Sequence, residues 1–428
     1  MQVHIITIGR ELLIGDVVNT NTSWIGQYFT EQGLECTRAV TVDDDTEAII
    51  REVEYSLNNA DITVMTGGLG PTHDDVTKHA LCRYFDVDLT EHEPSRAHIR
   101  HMFEKRGIPF SSSNLGQSMV PSNCEVLFNK KGTAPGMYFR VNNRVLAALP
   151  GVPLEMKYLI RDELMPRLTA DFNLEPCYYC RYIQIAGIGE STLSDLNIGN
   201  ITGYLNGRVS LAFLPGIQGI TLRLSSYADT PEKARQAARP LEEHIRSTAG
   251  EYIFSDLPED TIQAAAGRLL AGNKRSLALA ESCSGGLISS KITDVSGSSA
   301  YYMGGICAYS NRAKIEMLGV DADVLNEHGA VSKPVALQMA LGAARRFNAD
   351  IGLSTTGIAG PAGGTPDKPV GTIWIGYWSA ETHFAVKAML FKDRLVNKER
   401  SAIIALDILR RRLSGIDSFP YDLKPEFA

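Results

Sequence analysis

Over the first 165 residues short apolar runs alternate with amphipathic stretches, the order expected of βαβ units in an open parallel sheet. Gln2–Ile8 reads as a strand. Asn21–Gln32, with apolar Trp24, Ile25 and Phe29 recurring at helical spacing, reads as a helix. Leu34–Val42 predicts a second strand, Asp45–Asn58 a helix, and Asp61–Met65 a buried strand that runs directly into glycines. A turn-rich stretch, Gly132-Thr-Ala-Pro-Gly136, precedes Leu149-Pro-Gly-Val-Pro153, whose last proline suits the start of a helix at Leu154. Between about 170 and 255 the texture changes to strand-like Cys180–Ala186, Val209–Leu214 and Gly219–Ser226 with a helix over Pro231–Ser247, a compact α+β unit. A third block opens near Thr261 with a helix over Ile262–Ala271 and continues in α/β style to about Leu413. The pattern therefore predicts a multidomain α/β protein. An N-terminal open sheet with helices on both faces spans 1–168, a small α+β middle domain 169–256 and a C-terminal α/β domain 257–415. Residues 416–428, rich in Pro, Asp and Phe, read as a tail packed loosely or against another chain.

Composition narrows the class. A chain of 428 residues has room for two to four domains, and 44 % apolar with 21 % charged residues excludes disorder, collagen-like repeats and a coiled coil as the main architecture. Lys plus Arg is 42 against 49 for Asp plus Glu, a net charge of −7, so no global electrostatic footprint for nucleic acid exists. No apolar run approaches the roughly 18 residues that span a bilayer, and the N-terminus lacks the basic region of a signal peptide. The expected location is the cytoplasm, with no membrane partner. Seven dispersed cysteines fit reduced thiols rather than a disulfide framework. Cys177-Tyr-Tyr-Cys180 is a lone CxxC without a second ligand pair at zinc-finger spacing, so burial within a strand outweighs a zinc or redox role. His98 and His101 are too isolated to imply a metal.

The first chemical constellation follows the strand that ends at Met65. In Thr66-Gly-Gly-Leu-Gly-Pro-Thr-His-Asp-Asp75, three glycines let backbone N–H groups approach an anion, and a helix start after Asp74 and Asp75 adds the positive end of a dipole. Loops after parallel strands are where open α/β sheets bind ligands. Asp74 and Asp75, joined by Glu11 and Asp44 from neighbouring strand ends, are hard oxygen donors suited to a divalent ion. Metal and phosphate cradle together imply phosphoryl or pyrophosphate chemistry. The plainer reading is a tight turn with Asp75 capping the helix. It is not a Walker A loop, because no Gly-Lys-Ser/Thr follows.

The second constellation lies in the third block. Leu277-Ala-Leu-Ala-Glu-Ser-Cys-Ser-Gly-Gly286 is a strand that ends in small polar residues and glycines. Asp294-Val-Ser-Gly-Ser-Ser299, Ala308-Tyr-Ser-Asn-Arg-Ala-Lys314 and Ser354-Thr-Thr-Gly-Ile-Ala-Gly-Pro-Ala-Gly-Gly364 follow. Hydroxyls at turn tips, one lysine and glycine-rich loops fit acyl transfer by an activated serine, provided burial lowers the pKa of Lys314. Turn serines and a solvated lysine are the bland alternative, and residue types alone favour it, since no GxSxG elbow or SxxK is present. Ser299 and Ser282 both sit on glycine-flanked turns. Ser299 is the preferred partner of Lys314 because one strand-like passage, Tyr301–Tyr309, separates the two.

Both constellations resemble a known family. Ile8-Gly-Arg-Glu-Leu-Leu-Ile-Gly15 with Asn19–Asn21, the Thr66–Asp75 loop, Gly132–Gly136 and Leu149–Met156 resemble the molybdopterin-binding (MoCF-like) domain of CinA proteins. Ala280–Gly286, Gly297-Ser-Ser299, Tyr309–Lys314, His328–Ser332, Thr356–Pro361 and Lys368–Thr372 resemble the CinA C-terminal domain, and the middle block its KH-like domain. For the N-terminal domain the resemblance implies metal-dependent ADP-ribose pyrophosphatase activity, giving AMP and ribose 5-phosphate. Gly67, Gly68, Gly70 and Thr72 would hold phosphates, Glu11 and Asn21 would contact substrate, and Asp44, Asp74 and Asp75 would serve Mg, Mn or Co, with a monovalent cation as a further candidate. For the C-terminal domain it implies cofactor-free hydrolysis of the carboxamide of nicotinamide mononucleotide (NMN). There Ser299 would be the nucleophile, Lys314 its base and Tyr309 a supporting hydroxyl. Ser282, also counted among the catalytic residues, and Thr356 would line the amide end, Gly357, Gly285 and Gly286 would bind substrate, and Arg394 would contact the phosphate. The expected chain is a bifunctional hydrolase of pyridine-nucleotide turnover, a homodimer whose partners are small nucleotides. A pterin or molybdenum-cofactor enzyme and a non-catalytic competence-related adaptor are the alternatives. The middle block has no GxxG loop between helices and no Lys/Arg run, which argues against RNA binding.

Overall fold

The computed structural model describes residues 1–70, 76–107, 116–174 and 178–427. The chain divides into two compact units, Met1–Tyr179 with Tyr227–Ala234, and Cys180–Ser226 with Arg235–Ala428. Among the described residues no helix is long and apolar enough to cross a membrane.

The first unit contains β1 (Gln2–Ile8), β2 (Glu35–Val42), β3 (Ile62–Thr66), the short β4 (Leu89–Glu91) and β5 (Met119–Pro121), β6 (Glu125–Leu127), β7 (Gly136–Val141) and β8 (Arg144–Leu149). Its six-stranded sheet has the order β2-β1-β3-β8-β7-β6. β1, β2, β3 and β8 run parallel, whereas β7 and β6 return antiparallel, so the expected parallel sheet is mixed. The period of two along β1 sends alternate side chains to opposite faces. Val3 and Ile5 join Ile25 and Phe29 of the helix Thr20–Glu31, while Ile6 and Ile8 join Ile49 and Val53 of the helix Thr46–Asn59. Helices on both faces follow from that alternation, as expected. The predicted boundary at 168/169 falls inside the helix Met165–Phe172, which buries Met165 and Leu168 in the first core.

A four-stranded sheet follows, of β9 (Tyr178–Ile185), β10 (Val209–Pro215), β11 (Ile220–Tyr227) and β12 (Ile253–Ser255) in the order β10-β11-β9-β12, and its residues from Cys180 to Ser226 and from Ile253 to Ser255 belong to the second unit. Its Gly216–Gly219 turn closes the β10–β11 hairpin and joins no helices. Then come β13 (Leu277–Glu281), β14 (Tyr302–Cys307), β15 (Ile351–Gly357), β16 (Thr372–Ser379), β17 (His383–Met389) and β18 (Pro425–Phe427), in the order β14-β13-β15-β16-β17-β18. β14, β13 and β15 are parallel and the rest antiparallel. Leu277 and Leu279 face the helices Ile262–Gly272 and Arg394–Leu413, and Ala278 and Ala280 face the helix Lys333–Phe347. The chain end is no loose tail. Phe427 pairs with Phe384 across β17–β18, and Phe419 packs edge-on to the same ring, because a sheet edge and an apolar face await them.

Candidate functional site

The parallel strands β13, β14 and β15 end at one edge of the C-terminal sheet, and the polar residues of the second constellation gather there. Ser282 follows β13 directly, its N–H bonded to Thr355 O at 2.9 Å. The chain then turns through Gly285 and Gly286 at φ of +63° and +90°, a left-handed path that glycine adopts without strain. The turn is anchored by Glu281, a carboxylate 1 % exposed, which accepts the N–H groups of Ile288 and Ser289 and the hydroxyls of Ser284 and Ser289. Ser284 also bonds Thr355 Oγ1 at 2.7 Å, so its hydroxyl is spent on structure.

Lys314 reaches the same edge from the helix Asn311–Leu318, which Ser310 caps by accepting the Ala313 N–H. Its side chain is 1 % exposed and meets no carboxylate among the described residues. Nζ donates to Ser282 Oγ at 3.0 Å and to the carbonyls of Ala308 and Tyr309 at 2.8 and 3.3 Å. Burial without a counter-ion among the described residues disfavours the ammonium form and holds the Lys314 pKa below its ordinary value. Beside it, burial pushes the Cys283 thiol up to about 12, so that side chain stays protonated and is no competing nucleophile. Tyr309 is 62 % exposed, and its hydroxyl accepts from Arg394 Nη2 at 2.8 Å while Arg394 Nη1 donates to Gly360 O at 2.9 Å. Thr356 is fully buried and donates to Ala330 O at 2.7 Å; Gly357, its neighbour, ends β15.

Ser299 lies elsewhere. It sits exposed in the turn Ser298–Ala300, ahead of β14, whereas Lys314 follows that strand. β14 runs parallel to β13 from Tyr302 beside Leu277 to Cys307 beside Glu281. At about 3.3 Å per residue one such strand carries the chain roughly 20 Å, from one edge of the sheet to the other. The passage expected to unite Ser299 with Lys314 within one chain therefore separates them, and the serine that meets the lysine is Ser282.

In the first unit a cavity of about 520 Å³ opens at the ends of β1 and β3, lined by Gly67, Gly68, Gly70, Glu11, Asn21 and Asp44 among others. Gly67 packs so closely on β1 that a Cβ would stand 2.2 Å from Ile8 O, so the turn itself demands glycine there. Asn21 Nδ2 donates to Gly151 O at 2.7 Å, and its Oδ1 is buried without a partner among the described residues. Asp44 Oδ2 accepts the Arg10 N–H at 2.9 Å. Thr72, Asp74 and Asp75 lie outside the described residues, as does Cys177. Among the described residues no group of three or more His, Cys, Asp or Glu side chains is placed to hold a metal ion, so these residues alone do not make a metal centre.

Comparison with known proteins matches the three parts in order. Residues 4–170 match a family described as "Probable molybdopterin binding domain", 180–255 the "Damage-inducible protein CinA KH domain", and 259–413 the "CinA C-terminal domain". A CinA-like protein of Salinibacter ruber is 41 % identical over 418 residues, covering 97 % of this chain and 100 % of its own. One from Cytophaga hutchinsonii is 38 % identical over 412 residues, covering 96 % and 98 %. The chain belongs to the CinA family. Among solved structures, the CinA protein of unknown function from Thermoplasma acidophilum is 33 % identical over 40 % of this chain and 96 % of its own, with a TM-score of 0.35.

Sequence reasoning missed three residues in these CinA domains. Glu281 was legible only as a strand residue, and its role as anchor depends on helix N–H groups seven and eight residues away. Glu155 lines the N-terminal cavity, accepts from Asn129 Nδ2 at 2.6 Å and has its carboxyl pushed up by burial. Lys398 brings its Nζ to 3.5 Å from where a Cβ on Gly285 would stand. Spacing from Arg394 was the one available signal for it.

Proposed function

We propose that the C-terminal CinA domain hydrolyses a carboxamide by acyl transfer to Ser282, and that its substrate is NMN. The observation that carries this reading is the buried Lys314 amine, without a carboxylate partner among the described residues and bonded to Ser282 Oγ at 3.0 Å. A lysine whose pKa is lowered by burial serves as a base once neutral. Neutral Lys314 takes the Ser282 proton as Oγ attacks the amide carbon. It returns that proton to the departing nitrogen, which leaves as ammonia. Water, deprotonated by the same amine, then attacks the acyl-serine; the ester bond breaks and the proton passes back to Ser282 Oγ, releasing nicotinate mononucleotide. Family resemblance points to NMN, and the cations Arg394 and Lys398 near the turn suit its phosphate. Full-length protein incubated with NMN should release ammonia, and Ser282→Ala should abolish that release; ammonia release unchanged in the variant rules out the acyl-serine.

For the N-terminal domain we propose hydrolysis of ADP-ribose with a divalent ion, supported by the family resemblance and by the cavity that Gly67, Gly68 and Asn21 border. The ion would supply charge neutralisation at the pyrophosphate. The match of residues 4–170 to a molybdopterin-binding family makes a pterin phosphate the competing ligand. A chelator should stop AMP release from ADP-ribose and spare ammonia release from NMN; loss of both or of neither counts against two separate sites.

A further inference from the structure

A cavity of about 470 Å³ opens within the second unit, bordered by the β10–β11 turn, the end of β17, the helix Arg394–Leu413 and the chain end. Small-molecule sites commonly span roughly 300–1,000 Å³. Its walls are mainly apolar, Ile188, Ile220, Leu390, Ile404 and Leu423 among them, and Met389 and Phe391 carry exposed apolar surface out from it. Arg400 is its one cation among the described residues. A guanidinium carries five N–H donors. Among the described residues this one makes a single hydrogen bond, from Nη1 to the Tyr421 hydroxyl at 3.2 Å, and no ion pair, and its Nε is buried without a partner. The nearby acids of the helix are committed elsewhere, Glu399 to Lys291 and Asp407 to Arg410 and Arg411. Tyr421 is fixed by its N–H bond to Gly187 O at 2.6 Å and by a φ of +53°, a left-handed conformation uncommon outside glycine. Its hydroxyl accepts from Arg400 and keeps its own proton to donate, since burial raises the phenol's pKa above the ordinary value. Spare donors on a half-buried cation and on a tyrosine, set in apolar walls, call for a partner that brings both negative charge and hydrocarbon. One cation balances one negative charge, and the exposed carboxylate of Glu190 at the same cavity repels a second.

We infer that this cavity is a binding site for a monocarboxylate with an apolar body, its carboxylate held by Arg400 and Tyr421 and its hydrocarbon against Ile220, Leu390 and Leu423. The planar guanidinium matches the two oxygens of a carboxylate, and such a charge-assisted contact strengthens where apolar walls exclude water. None of the residues that line the cavity belongs to the Ser282 turn or its lysine. The site therefore stands whether or not that turn cleaves an amide.

The test is calorimetric titration of the full chain with octanoate and with 1-octanol, its uncharged counterpart. Octanoate should bind about tenfold or more tighter than octanol, and Arg400→Met should remove that difference. Arg400→Lys, which keeps the charge without the planar fork, should fall between the two. Leu423→Trp, which fills the cavity and leaves the cation in place, should abolish binding of both compounds, and it carries the test if Arg400→Met does not fold. Absence of octanoate binding by the wild type at millimolar concentration overturns the inference. So does an octanoate affinity that is unchanged in Arg400→Met or in Leu423→Trp. Displacement of octanoate by NMN would place it at the Ser282 turn and overturn the separate site. Tighter binding of octyl phosphate than of octanoate would overturn the monocarboxylate assignment.

Discussion

In the proposed amide hydrolysis Lys314 is the base, at a position where the described residues offer it no counter-ion, and the expected pH behaviour follows from that proposal. The neutral amine is the working form. Burial lowers its pKa, so kcat/KM for NMN should rise with pH and level off below the range of an ordinary lysine. A pH–rate profile whose rise begins only in the ordinary lysine range would contradict the burial argument. Because nucleophile and base act as a unit, Ser282→Ala and Lys314→Met should each lower the rate by about three orders of magnitude, and the double variant should be little worse. Ser299→Ala should stay within a few-fold of wild type, since Ser299 is exposed before β14 while the amine lies beyond the strand's far end. An inactive Ser299→Ala beside an active Ser282→Ala would exchange the two roles and require Ser299 to reach the amine from outside its own chain. Ammonia release measures all four.

The element that positions Ser282, the proposed nucleophile, is a strand–turn–helix joint held by one buried carboxylate. Glu281 ends β13 and accepts two backbone N–H groups at the start of the helix Leu287–Thr293, donors that no intrahelical carbonyl can satisfy. Glu281→Gln keeps the shape but turns part of an acceptor-only group into a donor facing donors. The expected cost is about 2–3 kcal/mol, read as a lower denaturation midpoint, together with slower amide hydrolysis as the Ser282 turn loosens. A midpoint within experimental error of wild type would show that water replaces the carboxylate. The sequence marked this joint as a strand followed by glycines, which placed the serine at a strand's carboxyl end. It could not say that Glu281 points inward, because a glutamate after alternating apolar residues reads equally well as the solvent-facing end of a strand.

At the scale of the molecule, the C-terminal domain does not end where its own strands end. Asp407, Arg410 and Arg411 are buried on the helix Arg394–Leu413 and form a cluster in which Asp407 pairs with both arginines. Arg410 also donates to the carbonyls of Glu251 and Ile253, and Ala186 shares the core of the C-terminal sheet. A fragment starting near residue 256 has its own sheet, yet it strips Arg410 of the Glu251 and Ile253 carbonyls and uncovers the cluster. A fragment of residues 180–428 should therefore fold and release ammonia from NMN, and should exceed the 256–428 fragment in stability by roughly 3 kcal/mol in denaturant titration. Equal midpoints would mean that the middle domain is only a spacer.

Local pattern alone determined the strands, the helices on both faces of the first sheet and the glycine turns that end the strands, since each rests on side-chain period or on the steric freedom of one residue. It determined as well that Ser282, Ser299, Lys314 and Arg394 belong to one domain. Tertiary structure decided which of them meet. Whether β14 runs parallel or antiparallel to β13 determines which turn shares an edge with Lys314, and strand direction is set by pairing between segments distant in sequence, which no local pattern encodes. The same holds for the chain end, where Pro425-Glu426-Phe427 becomes β18 only because β17 offers an unpaired edge. Lys314 loses its solvent, and with it its ordinary pKa, for that reason: the helix carrying it folds back over a sheet edge that only the assembled strands create.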